Sequence, residues 1–188
     1  MNICVFCSSS NSVDKVYFQE ARELGNLIGA SGLGLVYGGT NVGLMNEVAQ
    51  SVKTSGGKVI GVIPKLIHDY GISADNLDEL LITPDMSERK KILRDKSDAF
   101  IALPGGFGTL EEILEVVTLK QLGYHNKPIV FINTNGFYQN LKAQFEQSYQ
   151  EKFTKAEYAN LFHFSNDAKD AIEYIENYKH ESRGTKWD

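Results

Sequence analysis

Cysteine is nearly absent: Cys4 and Cys7 are the two this 188-residue chain carries. That excludes a disulfide framework. Their C-x-x-C spacing offers a redox pair or half a zinc site. Redox pairs of that kind open a helix, whereas Ile3-Cys4-Val5-Phe6-Cys7 reads as a buried first strand in which reduced cysteine acts as a small apolar residue. No second Cys or His pair completes a zinc set, because His68, His125, His163 and His180 are scattered. Neither a metal nor a cofactor is expected. Proline is scarce at four residues, and no linker, repeat or low-complexity tract divides the chain, so one domain is expected. No apolar run approaches the ~20 residues of a membrane span. Met1-Asn2-Ile3-Cys4 is not a basic segment leading an apolar one, so no signal peptide, no membrane and a cytoplasmic location are expected. Excess basic charge is missing as well, the formal net charge being −5, which speaks against a nucleic-acid partner. Neither G-x-G-x-x-G after the first strand nor G-x-x-x-x-G-K-[ST] occurs. That argues against dinucleotide binding in the usual manner and against a P-loop NTPase.

What is present is a regular alternation of strand-like and helix-like segments. The patterns predict strands over 2–7, 33–37, 58–63, 79–83, 98–103, 128–132 and 161–164. They predict helices over 13–30, 42–55, 86–97, 109–122, 136–151 and 167–178. Such βαβα order implies an α/β fold, a doubly wound, mostly parallel sheet with helices on both faces. Continuous apolar runs at 99–103 and 128–132 fit central strands buried on both sides. The domain is expected to cover 1–180, with 181–188 a loose polar tail. Gly32 and the pair Gly56-Gly57 are expected to close helices.

Ligands of open α/β sheets bind beyond the carboxyl ends of the strands, which directs the search to the strand-to-helix loops. The most informative is Pro104-Gly105-Gly106-Phe107-Gly108-Thr109-Leu110-Glu111-Glu112, between an apolar strand and a helix. Glycines at a helix start leave backbone N–H groups open to an anion, and a phosphate is the natural occupant. The two carboxylates that follow point to work on a phosphorylated substrate. Thr109 and Glu112 also fit a T-x-x-E capping box, a bland alternative that makes Thr109 the N-cap. A second glycine loop, Gly38-Gly39-x-x-x-Gly43, follows the strand at 33–37, and the two loops together could embrace one nucleotide. Ser8-Ser9-Ser10 after the first strand offers either hydroxyls for a ligand or a cap for the helix at 13–30.

In the helix at 86–97, Asp85 and Glu88 resemble a capping box, which places Arg89 early in the helix. Met86, Ile92 and Leu93 share its face. An arginine on an apolar face needs a phosphate or a carboxylate, unless it forms a structural ion pair or snorkels to the surface. Lys90 and Lys91 read as solvent-facing, and Glu111 and Glu115 as one solvated face.

Together these residues resemble the Lonely Guy (LOG) family of cytokinin-activating phosphoribohydrolases. Its hallmark P-G-G-x-G-T-x-x-E is matched by Pro104 to Glu112. Its upstream R-K pair is matched by Arg89-Lys90, and its V-Y-G-G-x-x-x-G-L-M stretch by Val36 to Met45. The resemblance spans Cys4 to about residue 178. It implies a homodimeric, Rossmann-like fold that splits nucleoside 5′-monophosphates, N6-prenylated AMP or AMP, into free base and ribose 5-phosphate, without a cofactor. By the same resemblance Arg89 and Glu112 form the catalytic pair. Gly105, Gly106, Gly108 and Thr109 hold the phosphate, and Phe107 and Lys90 belong to the substrate-binding set. Glu111 holds the ribose and Thr118 lines the site one turn on. Gly38, Gly39 and Ser8 complete the expected substrate contacts. The chain departs from the pattern at Thr40, at Asn46 and at Gly71, where plant members carry a glutamate, so the base-recognition side is expected to differ. The rival readings are a carrier of the molybdenum cofactor, which shares the fold and a phosphate-binding glycine loop, and a nucleotide sensor without turnover.

Overall fold

The structure is a computed structural model, and it describes residues 1–179. The tail expected at 181–188 lies outside the described residues, as does His180.

Short segments, continuously buried in the central strands, build seven strands: β1 (Asn2–Phe6), β2 (Gly34–Tyr37), β3 (Lys58–Pro64), β4 (Glu79–Thr83), β5 (Ala99–Ala102), β6 (Ile129–Ile132) and β7 (His163–Ser165). They form one sheet in the order β4-β3-β2-β1-β5-β6-β7, and every ladder is parallel. The expected sheet was mostly parallel; the observed one is parallel throughout.

The helices are α1 (Lys15–Ala30), α2 (Gly43–Thr54), α3 (Lys65–His68), α4 (Met86–Asp95), α5 (Phe107–Gln121), α6 (Gln139–Gln150) and α7 (Ala168–Glu176). The short α3 falls in a stretch read as loop, and a 3-10 turn at Ala156–Leu161 precedes β7. Period-2 alternation in the strands splits the core into two layers. Ile3, Val5, Leu35 and Tyr37 pack with α1, α2 and α7, while Cys4, Phe6, Val36 and Phe100 pack with α4, α5 and α6. Cys4 and Cys7 are free thiols, both buried, and burial pushes both pKa values far up, so they stay protonated and inert.

Local chemistry sets the helix ends. Asp14, Asp85 and Asp167 accept from the backbone N–H groups of Val16, Glu88 and Asp170 and so cap α1, α4 and α7. Of the two readings of the serine run, the cap on α1 is not what forms: Ser8 and Ser10 accept from the N–H groups of Ser10 and Ser12, bending the loop on itself. Gly32 and Gly56 follow the ends of α1 and α2 with positive φ, as expected.

β1 and β5 lie side by side, and the chain leaves them toward opposite halves of the sheet. This is the switch point at which a doubly wound sheet opens a crevice. The loops that follow those two strands flank it, and Ser8 N–H donates to the Pro104 carbonyl across the gap at 3.3 Å.

Candidate active site

The crevice is a cleft of about 620 Å³, a size suited to a small organic ligand. On one side stands the N-terminus of α5. Its N-cap is Gly106, not the expected Thr109; the helix starts at Phe107 and no side chain caps that end. The leading N–H groups of α5 therefore keep their capacity for an anion. Added Cβ atoms on Gly106 and Gly108 would meet nothing within 4 Å, so both glycines face open space. Gly105 lies behind them, where a Cβ would fall 2.1 Å from Thr109 Oγ1. Tyr138, buried beside α6, donates its hydroxyl to the Leu103 carbonyl at 2.7 Å and braces the strand end from which the loop springs.

The second glycine loop behaves differently. Gly43 N–H donates to Asn11 Oδ1 at 2.9 Å and Leu44 N–H to the Ser8 carbonyl at 2.9 Å. The N-terminus of α2 is thus spent on the serine loop and is closed to a phosphate. Gly43 permits that close approach: it has φ +59°, and a Cβ there would lie 2.4 Å from the Ser9 carbonyl carbon. Residues of both glycine loops line the one cleft, but the second loop brings no open helix-end amides to it. Gly38 still lines the cleft; Gly39, with φ +75°, faces β3 and β4.

Arg89 and Glu112 meet in the cleft wall. Arg89 is 5% exposed and Glu112 6% exposed. Arg89 Nη1 donates to Glu112 Oε1, and Arg89 Nε donates to the Val62 carbonyl at 3.0 Å. The arginine is neither a surface snorkel nor free. Burial pushes the Glu112 carboxyl above the ordinary glutamate range, against the opposing pull of the Arg89 charge and hydrogen bond.

Ser8, Gly38, Arg89, Gly106, Phe107, Gly108, Thr109 and Glu112 all line this one cleft. Lys90, Glu111 and Thr118 do not. Lys90 and Glu111 form an ion pair on the outer side, where Lys90 also reaches Glu115 at 2.9 Å and Arg94 reaches Glu115 at 2.8 Å. The lysine read as solvent-facing and the glutamates read as a solvated face therefore bridge α4 to α5. Thr118 is exposed and donates its hydroxyl to the Leu114 carbonyl at 2.8 Å. Sequence reasoning missed the apolar wall of Met45, Pro64, Ile67, Ile72 and Met86. Its members come from three separate segments, and nothing in their spacing announces that they meet. The loop holding Ile67 and Ile72 is fastened to the second glycine loop by Asn41 N–H to the Ile72 carbonyl and Ala74 N–H to the Gly39 carbonyl, both 2.9 Å. Among the described residues no cluster of three or more His, Cys, Asp or Glu is placed to hold a metal, and no helix is long and apolar enough to cross a membrane.

The topology and the site define an open, doubly wound α/β protein with a polar pair beside an anion-receptive helix end. Residues 45–175 match the family model described as "Possible lysine decarboxylase". The chain is 43% identical over 94% of its length to the probable cytokinin riboside 5′-monophosphate phosphoribohydrolase LOGL2 of Oryza sativa subsp. japonica, covering 72% of that protein. It is 41% identical over 98% of its length to cytokinin riboside 5′-monophosphate phosphoribohydrolase LOG4 of Arabidopsis thaliana, covering 86% of it. Among solved structures it resembles the molybdenum cofactor carrier protein of Chlamydomonas reinhardtii, with TM-score 0.73 and 25% identity over 93% of this chain and 95% of that one. The chain belongs to the LOG family.

Proposed function

We propose that this protein hydrolyses the N-glycosidic bond of nucleoside 5′-monophosphates, N6-prenylated AMP or AMP, to free base and ribose 5-phosphate. The buried Arg89–Glu112 pair, set in the same cleft as the uncapped α5 N-terminus, carries the reading. A binding protein needs the phosphate cradle but has no use for a desolvated carboxylate beside it. The names of the LOG relatives support the same activity.

In this reading the 5′-phosphate sits on the N–H groups of Phe107, Gly108 and Thr109. The ribose then lies over Glu112. Water oxygen attacks C1′ as the C1′–N bond breaks; Glu112 takes the water proton, and the base departs with the bond electrons and a proton from solvent. Positive charge building on the sugar is stabilised by the carboxylate, as in other glycoside hydrolyses. Arg89, with Nε on Val62 and Nη1 on Glu112, holds that carboxylate in place. The protein acts as a homodimer in the cytoplasm, which sedimentation and cell fractionation test.

The deciding experiment incubates purified protein with AMP and with isopentenyladenosine monophosphate and follows free base by chromatography. Base release establishes the hydrolase, and the ratio of kcat/KM values sets its preference. AMP retained without release would assign a carrier or sensor instead.

A further inference from the structure

Gly38 lies at the end of β2, opposite the Arg89 guanidinium. A Cβ at this position would fall 2.7 Å from Arg89 Nη2 and 3.0 Å from Met45 Sδ. Contact that close forces something to move. The far end of an arginine usually yields at little cost, but this one is tethered twice, through Nε to Val62 and through Nη1 to Glu112. Gly38 is not among the glycines with positive φ. Its backbone therefore tolerates a side chain, and the absence of one has another cause. We propose that Gly38 is a positioning residue: its bare α-carbon leaves the berth in which the Arg89 guanidinium lies against Glu112, and it does not serve to contact the nucleotide.

The proposal rests on the catalytic reading of Arg89 and Glu112, but its test includes a measurement that does not. In Gly38→Ala the guanidinium is displaced and Glu112 keeps its burial while losing its counter-charge. The groups that act on Glu112 are Arg89 and Lys90 from α4, Glu111 on its own helix, and the protonated thiols of Cys4 in β1 and Cys7 just past its end. Loss of the Arg89 contact therefore raises the Glu112 pKa further, which carboxyl ¹³C NMR reads without substrate. With substrate, kcat falls about 100-fold, the order expected for a displacement near 1 Å at a reacting group. KM stays near the parent value, and the acid limb of the rate profile moves to higher pH.

Arg89→Lys, which has no Nη2, supplies the cycle: Gly38→Ala added to it shifts the Glu112 pKa little, because the crowded atom is gone. A raised KM with kcat and the Glu112 pKa unchanged would make Gly38 a substrate contact and overturn the proposal. So would a Gly38→Ala/Met45→Ala variant that regains the parent kcat and Glu112 pKa, since the crowding would then lie against the thioether. That double variant also carries the NMR test if Gly38→Ala alone fails to fold. Full turnover in Glu112→Gln would refute the catalytic reading and leave the NMR result to judge the positioning claim.

Discussion

A carboxylate with 6% exposure is costly unless it is paired, and Arg89 is what keeps Glu112 ionisable. Glu112→Gln keeps the shape and a hydrogen-bond acceptor but removes the proton acceptor, so turnover is expected to fall about 100- to 10,000-fold while cooperative thermal unfolding persists. Full activity in that variant would remove Glu112 from the chemistry. Arg89→Ala leaves the carboxylate buried alone, and urea unfolding near neutral pH is expected to show a loss of about 3–5 kcal/mol. Any residual activity should have its acid limb at higher pH: the Glu112 pKa, already above the ordinary range, rises once the Arg89 pull is gone, and only the ionised form accepts a proton. A limb that stayed in place would mean another group sets it.

Helix α1 shows why element-level patterns need their neighbours. Gly25 and Gly29 sit inside it and, by propensity alone, weaken it. Against α2 they are required: a Cβ on Gly25 would fall 2.5 Å from Ser51 Cβ and 2.6 Å from the Val48 carbonyl, and one on Gly29 2.6 Å from Ser55 Cβ. Gly25→Ala gains about 1 kcal/mol of helix propensity but forces the two helices apart at a cost of about 1–3 kcal/mol. Net destabilisation is expected in thermal unfolding; a raised Tm would mean that the helices separate freely. The start of α5 makes the opposite point. A T-x-x-E pattern is a sound local signal, yet Gly106 takes the cap and Thr109 turns inward to 4% exposure. The glycine loop carries its own helix start, upstream of the threonine.

At the scale of the molecule, His125, which links α5 to the approach to β6, is one group that lowers stability in acid. Its Nε2 lies 3.0 Å from the Val116 carbonyl, Lys127 N–H donates to its Nδ1 at 3.2 Å, and its ring rests on Phe100. Burial pushes its pKa down to about 4 from the ordinary 6.5. The folded protein holds it neutral while the unfolded chain takes up a proton. Its contribution is therefore full above about pH 6.5 and is lost as pH falls toward 4. Urea unfolding between pH 7 and pH 4.5 is expected to show falling stability, with a shallower fall in His125→Gln. Equal slopes would place the acid sensitivity elsewhere.

Strands and helices are legible in the chain because their causes are local: period-2 and period-3.6 patterns, aspartate caps and glycine stops act over a few residues. For the same reason the glycine loop at 104–109, Arg89 and Glu112 stand out in the amino-acid sequence itself. Only the tertiary structure decided which partners each group spends its bonds on. It set β1 beside β5 so that loops far apart in the chain frame one crevice. It closed the α2 N-terminus on Asn11 and Ser8, and left that of α5 open. It drew Lys90 and Glu111 into a brace between helices, outside the cleft, and turned Thr118 away from it. Hydrogen-bonding capacity is written residue by residue; its allocation depends on which distant segments meet, and that is a property of the packed chain.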